Sequence, residues 1–272
     1  MTRIVVYDSG VGGLTIYQQL RQRLEPNAAQ HSLVFVSDNA AYPYGTKADA
    51  ELISRVSSTA QAIVDSYHPD ILVVACNTAS TLALQTLRDQ LECEVVGVVP
   101  AIKPAAQMSQ TKVIGLLATP ATIERDYTRQ LINDFAQQCQ LINVGSSDLV
   151  EMAEAKLAGH SIDHSRLSDI LQPFIDSANL DVLVLACTHF PLLAEEIGDV
   201  FYSNKRSVSL VDSGDAIARR VLSLAGSKAN YFDKTNELDA IASFTDVGSI
   251  DSGLVRYLKS QGFVDVQQLI VE

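Results

Sequence analysis

The sequence predicts an α/β fold of two pseudo-symmetric lobes, each a mainly parallel sheet flanked by helices, with an active site in the cleft between them. Apolar, β-branched runs of strand length alternate with polar stretches of helical spacing, which is typical of parallel sheets covered by helices. One phrase also occurs twice, since Asp70-Ile-Leu-Val-Val-Ala-Cys76 returns 111 positions later as Asp181-Val-Leu-Val-Leu-Ala-Cys187. Because this spacing is about the size of one small domain, two related lobes are more economical than one large sheet.

Eight segments are predicted to be strands. Their limits are 3–7, 33–37, 71–75, 94–98, 113–118, 140–144, 182–186 and 207–211. Segments such as 48–67 and 122–138 have the helical spacing expected of the connections between strands. Strands that alternate with helices in this way are joined by right-handed crossovers, which makes the sheets parallel.

The first lobe is predicted to cover 1–97 plus 211–272, and the second to cover 98–210. Pro100 and Pro104 interrupt the chain near the first crossing. Val211-Asp212-Ser213-Gly214 is similar to Tyr7-Asp8-Ser9-Gly10 and is predicted to mark the return to the first lobe. Because no low-complexity linker separates the lobes, we expect them to be closely joined around the cleft.

Composition and charge exclude several classes of protein. The 272 residues are 47% hydrophobic, enough for substantial cores, and carry a net charge of −12 with a pI near 4.8. This acidic balance argues against a nucleic-acid or anionic membrane surface, and no apolar stretch approaches the roughly 20 residues of a membrane span. Because the strand-like run Arg3-Ile-Val-Val-Tyr7 begins almost at once, we expect no signal peptide before it. We therefore expect a cytoplasmic protein whose four cysteines are free thiols.

Each copy of the repeated phrase ends in a cysteine, Cys76 or Cys187, at the predicted carboxyl end of a strand. Sites in open α/β sheets form outside these strand ends, and a thiolate is favoured at the N-terminus of a following helix. One such cysteine is most often a buried structural residue, but two in matching contexts indicate a pair that faces one substrate. Such a pair suits moving a proton from one face of a carbon to the other. Cys93 and Cys139 lack this context and are interpreted as structural.

Side chains next to the two cysteines extend the predicted site. Asn77 and Thr78 follow Cys76, and Thr188 and His189 follow Cys187. Their amide and hydroxyl groups are neutral donors suited to a carboxylate ligand. The imidazole of His189 can stabilise a thiolate or take the thiol proton.

A glycine-rich turn, Asp8-Ser9-Gly10-Val11-Gly12-Gly13, follows the first predicted strand. It is not a dinucleotide fingerprint, because Thr15 stands at the third glycine position of GxGxxG, and it is not a P-loop. Two interpretations stay open. The turn is either a tight, capped βα connection or an anion site, with Asp8 holding an ammonium group or orienting a thiol.

Three further features are less specific. Pro43-Tyr44-Gly45-Thr46 is either an ordinary turn or a loop that offers backbone N–H groups and a phenol to a carboxylate. Glu151 is either an acid partner in the second lobe or a surface helix residue. His160 and His164 have the spacing of a helical metal pair, but Gly159 and the polar surroundings favour a solvated turn, so no metal site is predicted.

Four segments together resemble the glutamate racemases of the aspartate/glutamate racemase superfamily. They are Asp8-Ser9-Gly10-Val11-Gly12-Gly13-Leu14, Pro43-Tyr44-Gly45-Thr46-Lys47, Ala75-Cys76-Asn77-Thr78-Ala79-Ser80 and Ala186-Cys187-Thr188-His189-Phe190-Pro191. They match the family's pattern in order and spacing, and the resemblance fades after about residue 226. Asn39 stands where the family usually has threonine, and Glu151 lacks the usual Cys-Pro and Pro residues upstream.

The resemblance implies interconversion of L- and D-glutamate without a cofactor, which supplies D-glutamate for peptidoglycan. It implies that Cys76 and Cys187 transfer the protons, that Asp8 and His189 assist them, and that Glu151 is a candidate acid. It also implies a set of residues that bind the amino acid. They are Asp8, Ser9, Tyr44, Gly45, Asn77, Thr78, Thr188 and His189.

Rival functions stay open at this point. A racemase of aspartate or a related acid is the nearest, although aspartate racemases typically have Glu where this chain has His189. A cytoplasmic binding protein for an acidic amino acid would not need matched thiols. A thiol hydrolase or redox protein is disfavoured because the chain has no CxxC pair and no readable Cys-centred triad. The expected partner is a small-molecule substrate, and a homodimer is among the assemblies that the sequence allows.

Overall fold

The computed structural model describes residues 1–24, 31–228 and 240–272. The strands are β1 (Thr2–Asp8), β2 (His31–Ser37), β3 (Ile71–Val74), β4 (Glu94–Gly97), β5 (Val113–Ala118), β6 (Gln140–Gly145), β7 (Val182–Leu185), β8 (Ser209–Val211), β9 (Ile241–Phe244) and β10 (Asp265–Gln268). The helices are α1 (Leu14–Leu24), α2 (Asp49–Tyr67), α3 (Asn77–Gln90), α4 (Ile102–Met108), α5 (Pro120–Glu124), α6 (Asp126–Phe135), α7 (Asp148–Leu157), α8 (His164–Asp176), α9 (Ala194–Ser203), α10 (Gly214–Lys228) and α11 (Ser252–Ser260). Short 3-10 helices lie at Asn39–Ala41, Tyr44–Thr46, Phe190–Leu193 and Val247–Ser249.

The described strands form two sheets, and their pairings are parallel. The larger sheet has six strands in the order β10-β9-β2-β1-β3-β4, and the smaller has four in the order β6-β5-β7-β8. The predicted α/β class with two parallel, helix-flanked sheets is therefore confirmed. All eight predicted strands are present, each limit lying within two residues of the prediction.

The apolar runs that predicted the strands are explained by burial on both faces of each sheet. Along β1, Ile4 and Val6 pack into one core layer, while Val5 and Tyr7 pack into the layer on the opposite face. The smaller sheet is built in the same way, with separate cores on its two faces. Successive residues of a strand point to opposite faces, so only a nearly continuous apolar run fills both layers.

The chain leaves the smaller sheet after β8, which pairs with β7. Helix α10 then packs on the core beneath the larger sheet, where Ile217, Ala218 and Val221 are buried. This return follows Val211-Asp212-Ser213-Gly214, the segment that resembles the first glycine turn. The residue limits of the two lobes stay a prediction. None of the helices in the described part of the chain has both the length and the apolar character that crossing a bilayer requires.

Candidate active site

A cavity of about 70 Å³ lies where strand ends of the two sheets meet. Its lining consists of Ser9, Tyr42, Pro43, Tyr44, Gly45, Thr46, Cys76, Asn77, Thr78, Thr119, Ser147, Val150, Glu151, Cys187, Thr188 and His189. These include all of the predicted site residues except Asp8, which is hydrogen-bonded to Thr188 and Ser9 of the lining. No Lys or Arg is among the described residues that line the cavity, so His189 is the one side chain of this lining that can carry a positive charge.

Cys76 lies between β3 and the first turn of α3, and the Ser9 hydroxyl donates to its sulfur over 3.6 Å. Burial raises the pKa of the Cys76 thiol to about 12, and the nearby Asp8 carboxylate acts in the same direction. The backbone N–H of Ala79, at the helix N-terminus, acts to lower this pKa but is outweighed. The helix N-terminus thus favours the thiolate, as expected, but its effect is smaller than that of burial. In the free site this residue is a protonated thiol at neutral pH.

Cys187 lies just beyond the carboxyl end of β7, and its sulfur is 3.8 Å from Nδ1 of His189. Nε2 of the same ring is 2.7 Å from Oε1 of Glu154. Burial acts to lower the pKa of His189, but the contacts with Cys187 and Glu154 outweigh it and raise this pKa well above its usual 6.5. These two contacts therefore favour the imidazolium form of the ring. A cation at this position stabilises the thiolate form of Cys187.

Asp8 ends β1 and is almost completely buried, with 1% of its surface exposed. Its Oδ1 accepts from the Gly10 N–H at 3.0 Å, and its Oδ2 accepts from the Thr188 hydroxyl at 2.8 Å. Burial raises the pKa of Asp8, although His189 and these hydrogen bonds act to lower it. The carboxylate thus stands between the glycine turn of the larger sheet and the strand end of the smaller one.

The glycine turn brings these two strand ends close together. A Cβ atom on Gly12 would lie 2.5 Å from Nδ1 of His189 and 2.6 Å from Oγ1 of Thr188. Real Cβ atoms essentially never approach that closely, so a glycine is required for the turn to pack against the end of β7. The motif is therefore explained by close approach of the backbone, and Asp8 caps the turn through Gly10.

The Tyr44 segment differs in one respect from the prediction. Tyr44 lines the cavity, but its hydroxyl donates to Oδ2 of Asp38 at 2.6 Å and is also hydrogen-bonded to the Tyr7 hydroxyl. Asp38 in turn forms an ion pair with Arg55, whose Nη2 lies 2.5 Å from Oδ1. The phenol that the sequence offers to a ligand carboxylate is therefore hydrogen-bonded to the side chains of Asp38 and Tyr7.

Several lining residues were missed by the sequence reasoning, and Thr119 is the clearest. It follows β5, caps α5 by accepting from the Thr122 N–H at 3.3 Å, and exchanges a hydrogen bond with the Thr78 hydroxyl at 3.2 Å. Thr119 directly follows the predicted strand 113–118, so the principle that sites form at strand ends could have identified it. Tyr42, Ser147, Val150 and, behind His189, Glu154 had no comparable signal.

Two polar atoms at the cavity have no hydrogen-bond partner among the described residues. They are Oδ1 of Asn77 and the hydroxyl of Tyr42, both buried. A buried polar atom without a partner is unfavourable by about 1–3 kcal/mol, so these atoms are suited to contact a ligand. An amide oxygen accepts hydrogen bonds, and an ammonium group would donate them.

The two histidines with metal-pair spacing do not share a helix. His160 follows the end of α7, whereas His164 is the first residue of α8. Within residues 1–24, 31–228 and 240–272, no three His, Cys, Asp or Glu side chains are grouped so that they could hold a metal ion. The solvated turn was the favoured interpretation of these histidines.

The family model described as Asp/Glu/Hydantoin racemase matches residues 4–221. The chain belongs to this family. The matched range includes both strand-end cysteines and the glycine turn. It ends before the segment 222–272, which contains β9 and β10 of the larger sheet.

Similar proteins extend the comparison over almost the whole chain. The glutamate racemase of Shewanella sp. (strain MR-4) is 44% identical over 269 residues, which are 98% of this chain and 96% of the relative. The glutamate racemase of Shewanella piezotolerans (strain WP3) is 48% identical over 267 residues, covering 97% and 96%. The crystal structure of Escherichia coli glutamate racemase in complex with L-glutamate and the activator UDP-MurNAc-Ala has a TM-score of 0.89 and 41% identity, covering 100% of this chain and 99% of that one. The resemblance thus continues beyond residue 226, where the motifs fade.

Proposed function

We propose that this chain is a glutamate racemase that interconverts L- and D-glutamate by proton transfer between the α-carbon and two thiols, Cys76 and Cys187. The observation that carries the proposal is the placement of both thiols in the lining of one small cavity, with the Ser9 hydroxyl on the Cys76 sulfur and Nδ1 of His189 3.8 Å from the Cys187 sulfur. Cys76 is a protonated thiol, and Cys187 faces the imidazolium of His189. A two-base racemisation starts from one acid and one base of this kind.

The reaction conserves every proton. The Cys187 thiolate removes the proton from one face of Cα and becomes a thiol, while the Cys76 thiol gives its proton to the opposite face and becomes a thiolate. The opposite direction uses the two groups with their roles exchanged. The family resemblance assigns L-glutamate to Cys187 and D-glutamate to Cys76.

The α-carbon is a weak acid, so the cavity must stabilise the carbanion as it forms. A turnover of about 10 per second allows a barrier of only about 16 kcal/mol. Neutral donors on the α-carboxylate strengthen as negative charge develops there, and we infer that Asn77 and Thr188 of the lining have this role. The Asp8 carboxylate would keep the substrate ammonium charged. It also contacts the Ser9 hydroxyl, which lies 3.6 Å from the Cys76 sulfur.

The lining contains two polar clusters that suit the two ends of glutamate. One consists of Asp8, Ser9 and Thr188 beside the thiols. The other consists of Thr78 and Thr119, with Gly45 so near that its Cβ would lie 3.7 Å from Thr119. We infer that the second cluster binds the distal carboxylate and that Glu151, in the same lining, is an acid partner of the second thiol. Aspartate, with one methylene less, would not reach both clusters equally well.

We infer further that the reaction needs no cofactor and no metal, because the two thiols supply a complete acid and base. The partner that we propose for the cavity is its small-molecule substrate, glutamate. The net charge of −12 disfavours a nucleic-acid surface. We propose a cytoplasmic enzyme whose D-glutamate supplies peptidoglycan synthesis, with a homodimer among the assemblies that the sequence allows. The support from the comparisons is for the reaction, since the family is described as Asp/Glu/Hydantoin racemase and the relatives are named glutamate racemase.

The decisive experiment is circular dichroism of the purified protein mixed with L-glutamate after dialysis against a chelator. We expect the signal to decay to zero, as the amino acid becomes racemic without added metal or pyridoxal phosphate. Because the E. coli relative is described with an activator, a second arm contains UDP-MurNAc-Ala. A constant signal in both arms, or a rate that appears only when metal or pyridoxal phosphate is returned, would contradict the proposal.

A further inference from the structure

We propose that Glu154 is a positioning residue that fixes the orientation and protonation of His189 and thereby keeps Cys187 ionised. The three side chains form a line in which the carboxylate contacts Nε2 of the ring and the sulfur contacts Nδ1. This inference rests on the proposed function in one respect, since Cys187 is taken as one of the two groups that exchange the substrate proton.

The direction of the hydrogen bonds follows from the chemistry of the partners. An ionised carboxylate only accepts, so the His189 nitrogen 2.7 Å from Oε1 of Glu154 must carry its hydrogen. Nδ1 then faces the Cys187 sulfur, either as an imidazolium N–H donating to a thiolate or as the base that has lost that proton. In both states the proton lies between His189 and Cys187, and Glu154 holds the far side of the ring.

The position of Glu154 is fixed from a second side. The same oxygen, Oε1, accepts from the Val11 N–H at 2.9 Å, and Val11 belongs to the glycine turn after β1. A Cβ atom on Gly10 would clash with this oxygen, so the turn is shaped to admit the carboxylate. Glu154 therefore joins α7 to the turn of the larger sheet while it holds His189, which is 2% exposed. An ion pair on the surface would need neither the Val11 hydrogen bond nor the space that Gly10 leaves.

The neighbouring Glu151 differs from Glu154 in what it faces. Both residues lie on α7, one turn apart, so they occupy the same side of the helix. Glu151 is part of the cavity lining, whereas Glu154 lies behind the ring and carries the hydrogen bond to His189. Substitution of each acid in turn therefore separates their roles. A change in the protonation of His189 is expected on substitution of Glu154.

The first measurement is the rate at which iodoacetamide alkylates each cysteine between pH 5 and 9, read by peptide mass spectrometry without substrate. Glu154→Gln keeps the shape and the acceptor oxygen but removes the charge. We expect alkylation of Cys187 at pH 7 to fall at least tenfold, with Cys139 unchanged as the internal reference. Asp148→Asn, on the same helix but in an exposed pair with Arg166, is the matched control and should change neither cysteine. An unchanged Cys187 profile in Glu154→Gln would overturn the proposal.

A second measurement does not depend on access of a reagent to the cavity. In protein labelled with ¹⁵N-histidine, the His189 resonances, identified by their loss in His189→Asn, should show both ring nitrogens protonated at pH 7. In Glu154→Gln the ring should become neutral at pH 7 and keep its hydrogen on Nε2. A ring that remains doubly protonated in the variant would contradict the inference.

The racemase assay then separates this inference from the proposed function. We expect Glu154→Gln to lower kcat 10- to 100-fold while KM for glutamate stays within threefold, because the residue does not line the cavity. If the wild-type protein does not racemise glutamate but the alkylation and ¹⁵N results are as expected, the proposed function fails and the Glu154–His189–Cys187 coupling stands. A variant with unchanged kcat would show that Glu154 has no part in the reaction.

Discussion

The Thr188 hydroxyl donates to Oδ2 of Asp8 over 2.8 Å and joins the strand ends of two different sheets. The two residues are 180 positions apart in the chain. One is the last residue of β1, and the other follows Cys187 beyond β7. The hydrogen bond places a buried carboxylate between the two cysteine segments, where the proposed mechanism has the substrate ammonium.

Replacing Asp8 with asparagine is expected to stabilise the fold and to damage catalysis. Burial raises the pKa of Asp8 in the folded state, so the unfolded chain loses this proton more readily and folding stability declines as the pH rises through the unfolded pKa near 3.8. At pH 7 the neutral amide of the variant avoids that penalty while it still accepts from Gly10. We expect Asp8→Asn to unfold at higher urea concentration than wild type and to racemise glutamate at least 100-fold more slowly. A less stable variant, or one with wild-type rates, would contradict this account of Asp8.

The glycine turn gives a test that pairs two glycine substitutions. Gly12→Ala would place its Cβ 2.5 Å from His189 and 2.6 Å from Thr188, so the turn and the end of β7 must move apart. Displacement of about 1 Å at a catalytic group reduces rates about 100-fold, which is the loss we expect in kcat/KM. Gly198→Ala, in α9 with nothing within 4 Å of its Cβ, should retain full activity and gain about 0.5–1 kcal/mol of stability. Steady-state kinetics and urea melts measure both effects, and an active Gly12→Ala variant would refute the close-approach explanation.

The buried Asp38 network should make stability depend on pH. Burial acts to raise the pKa of Asp38, but hydrogen bonds from Arg55, Tyr44 and Thr245 outweigh it and hold this pKa below 3.8. The stabilisation is therefore present above the unfolded pKa and is lost as the pH falls through the lower folded pKa. We expect Asp38→Asn to lower the free energy of unfolding at pH 7 by about 2 kcal/mol, less than for a fully buried pair because Arg55 reaches solvent.

Urea melts between pH 3 and 7 measure this dependence. The difference between wild type and Asp38→Asn should shrink below about pH 4, as the wild-type carboxylate is protonated. Glu51→Gln, which breaks an exposed pair with Lys47, is the control and should change stability by no more than about 0.5 kcal/mol. A difference that persists unchanged at pH 3 would show that the charge of Asp38 does not contribute.

Much of the fold follows from local patterns, because strands buried on both faces need long apolar runs. This is why all eight predicted strands are present, and why β9 and β10 were missed. β10 has the sequence Asp265-Val-Gln-Gln268 and lies at the edge of its sheet, where little apolar surface is required. Its partner β9 has only four residues. Its sequence, Ile-Ala-Ser-Phe, has one β-branched residue, whereas β3 and β7, which are equally short but were predicted, consist of Val, Ile and Leu.

Most of the predicted site residues lie at strand ends, where sequence motifs reveal them. The side chains that hydrogen-bond to them come from distant parts of the chain. Asp8, Cys76 and Cys187 stand directly at or after apolar runs and were singled out for that reason. Glu154 contacts His189 only because α7 packs against the end of β7, and no local signal encodes that contact. Tyr44 was identified as a site residue, but its hydroxyl partner Asp38 was not. Long-range hydrogen bonds of this kind depend on the assembled fold.

Substrate selectivity tests the two polar clusters of the cavity. One methylene of fit in a pocket is worth only about 1–3 kcal/mol, but a carboxylate left unpaired in a buried site adds a further penalty. We expect kcat/KM for glutamate to exceed that for aspartate at least 100-fold, which corresponds to about 2.7 kcal/mol. Initial rates of circular dichroism decay for both amino acids give the ratio. Equal values would favour a racemase of broader specificity.

The central claim is that Cys76 and Cys187 exchange the proton of Cα from opposite faces. Either alanine variant should lose racemisation, while the half-buried Cys93 and Cys139 tolerate the same substitution with nearly full activity. The most direct measurement is mass spectrometry of α-deuterium in each enantiomer of glutamate after incubation in heavy water with Cys76→Ala or Cys187→Ala. We predict that each variant exchanges deuterium slowly into one enantiomer only, and that the enantiomer differs between the two variants. Full racemase activity in either variant, or exchange into the same enantiomer in both, would contradict the two-thiol mechanism.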